Sequence, residues 1–375
     1  MKKIVTIVGT RPEIIKMCRV IAEFDKHTKH ILVHTGQNYD FELNEVFFRE
    51  LEIREPDYFL NATGDSVSET IGNIISKSDK VLEKEKPDAV LLYGDTNSCL
   101  SIISAKRRKI PTFHFEAGNR CFDQRVPEEI NRKIVDHLSD VNLPLTEHAR
   151  RYLLNEGLSP DRVIKTGSPM KEILNYYASK IKKSNILKFY NIKKNDYVLV
   201  SAHREENIDS ETNFSDFIET LMEIVKVYNK KVIVSTHPRT MLKLKNRNKL
   251  DLDKHIIFSK PLGLFDYVCL QKNSYCVLSD SGTITEESSI LNFPAIMIRY
   301  SHERPEGMDE GTLIMSGLKK DSVVKAINIT KSFSNDRRVF RIVYDYDIDN
   351  YSKKIIKIVH SYVDYVNRTV WFKSI

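Results

Sequence analysis

The sequence of 375 residues lacks the glycine patterns that mark the common nucleotide-binding loops. None of its 13 glycines is followed by another glycine two positions later, so a G-x-G-x-x-G dinucleotide fingerprint is absent. No glycine pair has the spacing of a Walker A loop, and no serine stands in a nucleophile elbow. These absences argue against a conventional NAD site, a P-loop kinase and a hydrolase with a serine elbow.

Cysteine is scarce, and its five copies follow no ligand or disulfide pattern. The odd number and the absence of any C-x-x-C pair argue against a disulfide framework and a zinc ribbon, and they favour a reducing compartment. His30 and His34 are four residues apart, but they lie in a strand-like run without an acidic partner. That setting is typical of core or surface histidines rather than metal ligands. We therefore expect no bound metal.

Long apolar runs are missing as well. The apolar run at the N-terminus is too short for a signal peptide, and charged residues follow it at once. No stretch approaches the roughly 20 apolar residues that a membrane span needs. We therefore expect a cytoplasmic protein that does not insert into a membrane.

The basic residues form no pattern that indicates a nucleic-acid partner. The net charge is +7, but the lysines are scattered along the chain. The one dense basic run, at residues 243–249, has no interleaved aromatic side chains. Such a run is typical of a solvated face, so we expect no nucleic acid among the partners.

The length predicts two domains, and strand-like and helix-like segments alternate through both halves. That alternation predicts an α/β protein with two Rossmann-like, doubly wound parallel sheets facing a cleft. A turn at Gly167–Met170 marks the boundary, which gives domains over residues 1–168 and 169–357. A last helix begins near Tyr351, and we expect residues 358–375 to pack back on the first domain.

The most informative stretch runs from His114 to Asp140. Glu116 stands at the end of a predicted buried strand, and Glu128 lies in the first turn of a helix that begins with proline, where the helix dipole favours an anion. Ligands of open α/β sheets bind outside the carboxyl ends of the strands. Two carboxylates in one crevice, with Arg120 and Arg125 between them, suit acid–base work on an anionic substrate. The alternative is a capped surface helix with ordinary ion pairs.

The spacing within that helix predicts how it packs. Ile130, Ile134 and Leu138 recur every four residues and predict one apolar face. Glu128 and Arg132 have the spacing of a helical ion pair.

Other polar loops follow the predicted strands. Gly9–Glu13 places a cation and free amides at a helix N-terminus, which favours an anion, although such turns are common. Asp95 is a third acid at a strand end. In the second half, Ser281–Thr283 precedes a helix with Glu287, which suits a phosphate and a ribose, with a plain N-cap as the alternative. His203 follows another strand and can meet the same anion. Three acids and a diphosphate cradle favour a nucleotide-sugar site.

Short motifs occur in a fixed order along nearly the whole chain. They are G-T-R-P-E-I-I-K at 9–16, G-D-T at 94–96, E-A-G at 116–118, P-E-E-I-N-R at 127–132, H-R-E-E-N at 203–207, D-S-G at 280–282, E-E at 286–287 and E-R-P-E at 303–306. Together they resemble the bacterial UDP-N-acetylglucosamine 2-epimerases. The resemblance implies a glycosyltransferase-B fold, a homodimer, and epimerisation at C2 of a UDP-2-acetamido sugar without a cofactor.

The resemblance also implies roles for the residues at matching positions. Asp95, Glu116 and Glu128 would be the catalytic acids, and His203 would assist at the diphosphate. Glu287 would bind the ribose, and Tyr267 would pack on uracil. The full set that it implies for substrate binding is Arg11, Lys16, Arg132, Tyr267, Ser281, Gly282, Thr283, Glu287 and Arg304.

The sequence departs from the glucosamine-type pattern at several positions. Asn119–Cys121 follows E-A-G where that group has leucine, and Ser301-His302 leads into E-R-P-E-G. Glu205 replaces the second arginine of H-R-R-E-N, and residues 237–239 replace an H-x-N-P element, which argues against activation by a second UDP-N-acetylglucosamine.

These features resemble a sister branch, the UDP-N-acetyl-L-fucosamine synthases, which epimerise UDP-2-acetamido-2,6-dideoxy-L-talose for capsule or O-antigen assembly. Three alternatives remain: the parent activity that gives UDP-N-acetylmannosamine, a glycosyltransferase of the same fold, and a non-catalytic UDP-sugar sensor.

Overall fold

The computed structural model describes residues 1–37, 48–124, 126–202, 204, 210–236, 240–241, 243–244, 253–333 and 338–374. They form two compact units, Met1–Ile173 with Asp345–Ile375, and Leu174–Tyr344. Within these described ranges, no helix combines the length and the apolar character of a membrane span.

The first unit is built on a sheet of six parallel strands in the order β3-β2-β1-β4-β5-β6. The strands are β1 (Lys3–Val8), β2 (Lys29–His34), β3 (Tyr58–Phe59), β4 (Ala89–Tyr93), β5 (Thr112–Phe115) and β6 (Val141–Leu143). The central strands β1 and β4 are mostly apolar because helices cover both faces of a parallel sheet. The strand order reverses between β1 and β4, which is the position where such sheets bind ligands.

The second unit repeats this topology with the order β12-β11-β10-β7-β8-β9, again all parallel. Its strands are β7 (Tyr197–Ala202), β8 (Lys231–Thr236), β9 (Ile256–Ser259), β10 (Cys276–Ser279), β11 (Ala295–Met297) and β12 (Ile314–Met315). The reversal lies between β7 and β10. The prediction of two doubly wound parallel sheets is therefore confirmed.

Helices connect the strands in both units. In chain order, those bounded within the described residues are α1 (Arg11–His27), α2 (Val67–Glu85), α3 (Ile102–Arg107), α4 (Pro127–Leu138), α5 (Glu147–Asn155), α6 (Met170–Tyr176), α7 (Ala178–Lys182), α8 (Ile186–Phe189), α9 (Glu211–Tyr228), α10 (Leu264–Asn273), α11 (Thr283–Leu291), α12 (Glu306–Asp309), α13 (Lys320–Ser332) and α14 (Tyr351–Thr369). Three short 3₁₀ turns lie at Asn97–Ser101, Pro160–Arg162 and Tyr344–Tyr346.

The last helix, α14, belongs to the first unit, where it packs against α1. Its buried side chains recur at helical spacing and form an apolar stripe, which includes Ile355, Val359 and Val363. Lys2 adds an ion pair to Asp364 at 2.6 Å between Nζ and Oδ1. Packing of the apolar stripe, more than this partly exposed ion pair, holds the helix in place.

Candidate active site

Three polar loops of the first unit lie at one edge of its sheet. They follow β1, β4 and β5, which are adjacent parallel strands, so their carboxyl ends meet. The loop after β1 contains Gly9 and leads to Arg11, the loop after β4 contains Asp95, and the loop after β5 begins with Glu116. The strand order thus brings predicted acids and a predicted cation to one place.

Asp95 is held by two residues of α4. Its Oδ2 accepts a hydrogen bond from Nε of Arg132 at 2.8 Å. Its main-chain carbonyl accepts from Nδ2 of Asn131 at 2.9 Å. Both partners lie on the buried face of α4, so the helix docks directly on the loop of Asp95. Arg132, which we predicted as a substrate ligand, therefore orients an acid.

Glu116 occupies an unusual backbone conformation. Its φ of 61° lies in the left-handed region, which costs a non-glycine residue about 1–3 kcal/mol and is concentrated at functional sites. Both carboxylate oxygens accept hydrogen bonds, from the Tyr93 hydroxyl at 2.5 Å and from Nδ2 of Asn119 at 3.0 Å. The strained turn and the two donors fix the direction of this carboxylate.

Glu128 lies in the first turn of α4, where its side chain is half-buried. Across the described part of the chain, no residue forms a hydrogen bond or ion pair with its carboxylate. The predicted pair with Arg132 is wrong, because Nη1 of Arg132 instead donates to Oε2 of the buried Glu129 at 2.9 Å. The Glu128 carboxylate therefore remains available for proton transfer, and it lies at a helix N-terminus, where the dipole favours an anion.

The apolar face that we predicted for α4 is buried only at its end. Leu138 packs against the apolar core, whereas Ile130 and Ile134 are 57% and 36% exposed. The helix instead buries a largely polar face, which consists of Glu129, Asn131, Arg132, Val135 and Asp136. The reason is that α4 packs on the polar loops at the sheet edge, so hydrogen bonds rather than apolar contacts decide its orientation.

A buried residue that the sequence analysis did not single out, Glu13, joins two of the loops. Its carboxylate accepts hydrogen bonds from Gly9 N at 2.7 Å, from Thr96 Oγ1 at 2.5 Å and from Ser98 Oγ at 2.9 Å. Burial raises the pKa of Glu13 to about 7, although the hydrogen bonds from Thr96 and Gly9 oppose the shift. The T-x-x-E spacing of a capping box, Thr10 to Glu13, could have identified this residue.

The acids of these loops surround one buried thiol. Burial raises the pKa of Cys99 well above its ordinary value, and the carboxylates of Glu13, Asp95, Asp136 and Glu116 raise it further. Arg11 begins α1 and is exposed, and Lys16 follows on the same helix and is buried. The first unit thus combines carboxylates for proton transfer with cations for an anionic substrate.

Arg120, predicted as a cation of the crevice, is instead withdrawn from solvent and only 2% exposed. Its guanidinium binds Asp136 at 2.7 Å and Glu156 at 2.7 and 2.8 Å. These bonds satisfy it within the first unit, so its role is structural. Arg125, which we placed beside it, lies outside the described residues.

In the second unit, the predicted phosphate cradle lies between β10 and α11. Ser281 and Thr283 have hydroxyl oxygens 3.0 Å apart at the start of the helix. A Cβ atom on Gly282 would lie 2.9 Å from Oε1 of Glu303, so a larger residue there would make that carboxylate shift. Main-chain amides and hydroxyls at a helix N-terminus suit a phosphate group.

The predicted ribose and uracil residues lie close together beside that cradle. Glu287 is buried on α11, and its Oε2 accepts from Nε2 of Gln271 at 2.5 Å. Burial and the nearby Glu287 carboxylate raise the pKa of Tyr267. Hydrogen bonds with Ser201 and Gln271 partly offset this rise. The second unit therefore has a carboxylate and an aromatic ring together, as a nucleoside would require.

Arg304 is buried close to Glu286, with 3.4 Å between Nη2 and Oε2. Glu303 accepts from Arg204 at 3.2 Å and from Arg299 at 2.9 Å. The predicted residue His203 lies outside the described residues, as do Glu205 and residues 237–239. Within the described ranges, no group of three or more His, Cys, Asp or Glu side chains could hold a metal ion.

Comparison with known proteins agrees with this geometry. Residues 22–360 match the family described as UDP-N-acetylglucosamine 2-epimerase. The structure of UDP-N-acetylglucosamine 2-epimerase from Rickettsia bellii is 57% identical, covers 100% of both chains and superposes with a TM-score of 0.91. The UDP-GlcNAc 2-epimerase of Methanocaldococcus jannaschii, in complex with UDP-GlcNAc and UDP, is 35% identical over 96% of this chain and 99% of that chain, with a TM-score of 0.88.

A third relative acts on a different sugar. The UDP-2,3-diacetamido-2,3-dideoxy-D-glucuronate 2-epimerase of Pseudomonas aeruginosa is 32% identical over 345 residues, which are 90% of this chain and 95% of that protein. The fold is thus the two-domain, glycosyltransferase-B-like fold of these epimerases. This chain belongs to the UDP-N-acetylglucosamine 2-epimerase family and is an isomerase that acts on nucleotide sugars.

Proposed function

We propose that this protein inverts C2 of a UDP-2-acetamido sugar by eliminating UDP and adding it back. One observation carries the proposal: Asp95 and Glu116 extend from adjacent strand ends, and α4, which bears Glu128, docks on the loop of Asp95. A glycosyltransferase would need the nucleotide cradle but not this set of acids. A UDP-sugar sensor would need neither the acids nor the strain at Glu116.

The chemistry explains why carboxylates are needed. The hydrogen at C2 is not acidic, because no carbonyl group activates it. A base takes that proton while the C1–O bond to UDP breaks, and the electron pair forms the C1=C2 bond of a 2-acetamidoglycal. In the return step UDP attacks C1, and an acid protonates C2 from the other face. Each transfer needs a positioned group, which we assign to Asp95, Glu116 and Glu128 as a set.

The diphosphate and nucleoside need separate groups. We assign UDP to Ser281, Gly282, Thr283 and the Glu287 carboxylate, which would bind the ribose, with Tyr267 beside it. The cations that would stabilise the departing diphosphate are Arg11, Lys16, His203 and Arg304.

For the sugar, we propose UDP-2-acetamido-2,6-dideoxy-L-talose, converted to UDP-N-acetyl-L-fucosamine. The support comes from the residues that leave the glucosamine pattern. Nδ2 of Asn119 donates to Glu116 at 3.0 Å, a contact that leucine cannot make. Sγ of Cys121 lies 3.4 Å from Oε2 of Glu129. Since Arg120 is withdrawn, Asn119 is the residue of this segment that adjusts an acid to a different sugar.

A second candidate is UDP-N-acetylglucosamine, converted to UDP-N-acetylmannosamine. The Rickettsia bellii relative, at 57% identity, bears the name of that activity and favours it. The two candidates separate when each UDP-sugar is equilibrated alone with the enzyme and the products are resolved by anion-exchange chromatography and NMR. Faster turnover of the L-talo sugar supports our assignment. Comparable or faster conversion of UDP-N-acetylglucosamine to its manno epimer would establish the parent activity.

The same incubation tests the reaction class. An epimerase forms a new UDP-sugar from a single substrate, whereas a glycosyltransferase needs an acceptor and a sensor leaves the sugar unchanged. The Asn119→Leu variant sharpens the test of the substrate. We expect it to lose L-talo turnover more than UDP-N-acetylglucosamine turnover. An equal loss with both sugars would remove Asn119 from sugar discrimination.

We also propose that the enzyme is a cytoplasmic homodimer whose product supplies capsule or O-antigen synthesis. The exposed side chains of Ile130, Ile134 and Phe122 offer an apolar surface that a second copy could cover. Light scattering after size exclusion tests the dimer. Ile130→Glu should yield monomers, and Ile329→Glu, at another exposed isoleucine, should not. A monomeric wild type would contradict the homodimer.

A further inference from the structure

A fully buried carboxylate, Asp136, lies behind the loops of the three acids. Its Oδ1 is 2.7 Å from Nδ1 of His114, and its Oδ2 accepts from Nη1 of Arg120 at 2.7 Å. The main-chain N–H of Gly118 donates to the same Oδ2 at 3.1 Å. Because Asp136 is on α4 and Gly118 lies two residues after Glu116, this carboxylate joins the helix of one acid to the loop of another.

His114 extends the connection to the third acid. Its Nε2 is 2.6 Å from the carbonyl oxygen of Gly94, the residue before Asp95. His114 is itself on β5, two residues before Glu116. One imidazole and one carboxylate therefore link the segments that carry Asp95, Glu116 and Glu128.

One hydrogen bond determines which ring nitrogen of His114 donates. The Gly94 carbonyl can only accept, so Nε2 must carry a proton. Nδ1 then faces Asp136. Burial alone would raise the pKa of Asp136, but hydrogen bonds and charge from His114 and Arg120 lower it.

Other polar groups extend this link. Arg120 pairs with both Asp136 and Glu156. His137 lies 3.1 Å from Glu156 at the exposed end of the network, and the Cys99 thiol lies near Asp136. Removal of either Asp136 or His114 would leave a buried polar group without its partner, which is strongly destabilising.

We propose that Asp136 and His114 are positioning residues of the epimerase, whose hydrogen bonds fix the loops of Asp95 and Glu116 and the helix of Glu128 relative to one another. The inference rests on the proposed roles of those three acids. Their placement matters because an error of about 1 Å in a reacting group lowers the rate by about 100-fold. Neither residue needs to touch the substrate.

Nitrogen-15 NMR of histidine-labelled enzyme tests the protonation state without substrate. The His114 signals are identified by their loss in His114→Gln. We expect Nε2 of His114 to carry a proton at pH 7.5 in the wild-type protein, because it donates to the Gly94 carbonyl. An unprotonated Nε2 would overturn the proposal, because the link to the segment of Asp95 would be absent. A failure of the proposed reaction would leave this NMR result unchanged, so the two failures are distinguishable.

Kinetics of Asp136→Asn test the positioning, with Asp140→Asn as the matched control. Asp140 is also buried, and it accepts from Thr112 N at 3.0 Å and pairs with Lys106, but at the opposite end of β5. We expect Asp136→Asn to lower kcat by about 100-fold at unchanged KM. Asp140→Asn should lose stability with kcat within about threefold of wild type. Equal loss of kcat in both variants, or wild-type kcat in Asp136→Asn, would overturn the proposal.

Discussion

Arg132→Met tests whether one guanidinium orients two carboxylates. The Nε of Arg132 donates to Asp95 at 2.8 Å, and its Nη1 donates to Glu129 at 2.9 Å. Methionine fills similar space without donating either hydrogen bond. Breaking a buried ion pair costs about 3–5 kcal/mol, because it leaves a buried charge without compensation. We expect about 3 kcal/mol, the lower end, because Cys121 N still donates to Glu129 and Asp95 is partly exposed.

A loss of that size lowers the melting temperature of a domain of this length by about 6–12 °C, which calorimetry measures. The double variant Glu129→Gln/Arg132→Met removes the buried charge and should regain most of the stability. Its kcat should stay low, because Asp95 still lacks the guanidinium that orients it. The reasoning is refuted if Arg132→Met has the melting temperature of the wild type, or if the double variant regains full kcat.

Three further predictions follow from the same geometry. Asp95→Asn and Glu128→Gln should fold normally and lose turnover by about 100-fold or more, the scale of a lost acid or base; near-normal turnover would return that residue to a structural role. Glu287→Ala should weaken UDP binding, measured by calorimetry, more than it lowers kcat at saturating substrate. The reason is that a ribose contact is equally strong in the ground and transition states. A large loss of kcat with unchanged UDP binding would contradict the assignment. Because the pKa of Glu13 is raised in the folded state to about 7, its neutral form favours folding, so that contribution should fall between about pH 4.5 and pH 7. Denaturant unfolding across this pH range should show a fall in the free energy of unfolding for the wild type and not for Glu13→Gln. Equal slopes of that free energy against pH in the two proteins would contradict the role of Glu13.

The sheets could be predicted because their central strands are short, mostly apolar and buried runs, as in β1 and β7. β3 and β12 have two residues each, which is too short for any periodicity to appear.

Asp95 and Glu116 could be placed because they stand at strand ends, but the partners of the polar residues could not. Arg120 looks like a free cation in the sequence, yet its carboxylate partners lie 16 and 36 residues further along the chain. The orientation of α4 was missed for a similar reason. Its spacing shows where an apolar face would be, whereas polar contacts from Asn131 and Arg132 decide which face is buried.

Proton NMR of the product formed in D2O tests the central claim most directly. If UDP leaves and C2 is reprotonated by an enzyme acid, solvent deuterium enters at C2 of the product during turnover. We predict that the C2 proton signal is lost from the epimerised UDP-sugar, and that wild-type enzyme exchanges it far faster than Glu128→Gln. Complete retention of the original hydrogen at C2 during epimerisation would contradict the account.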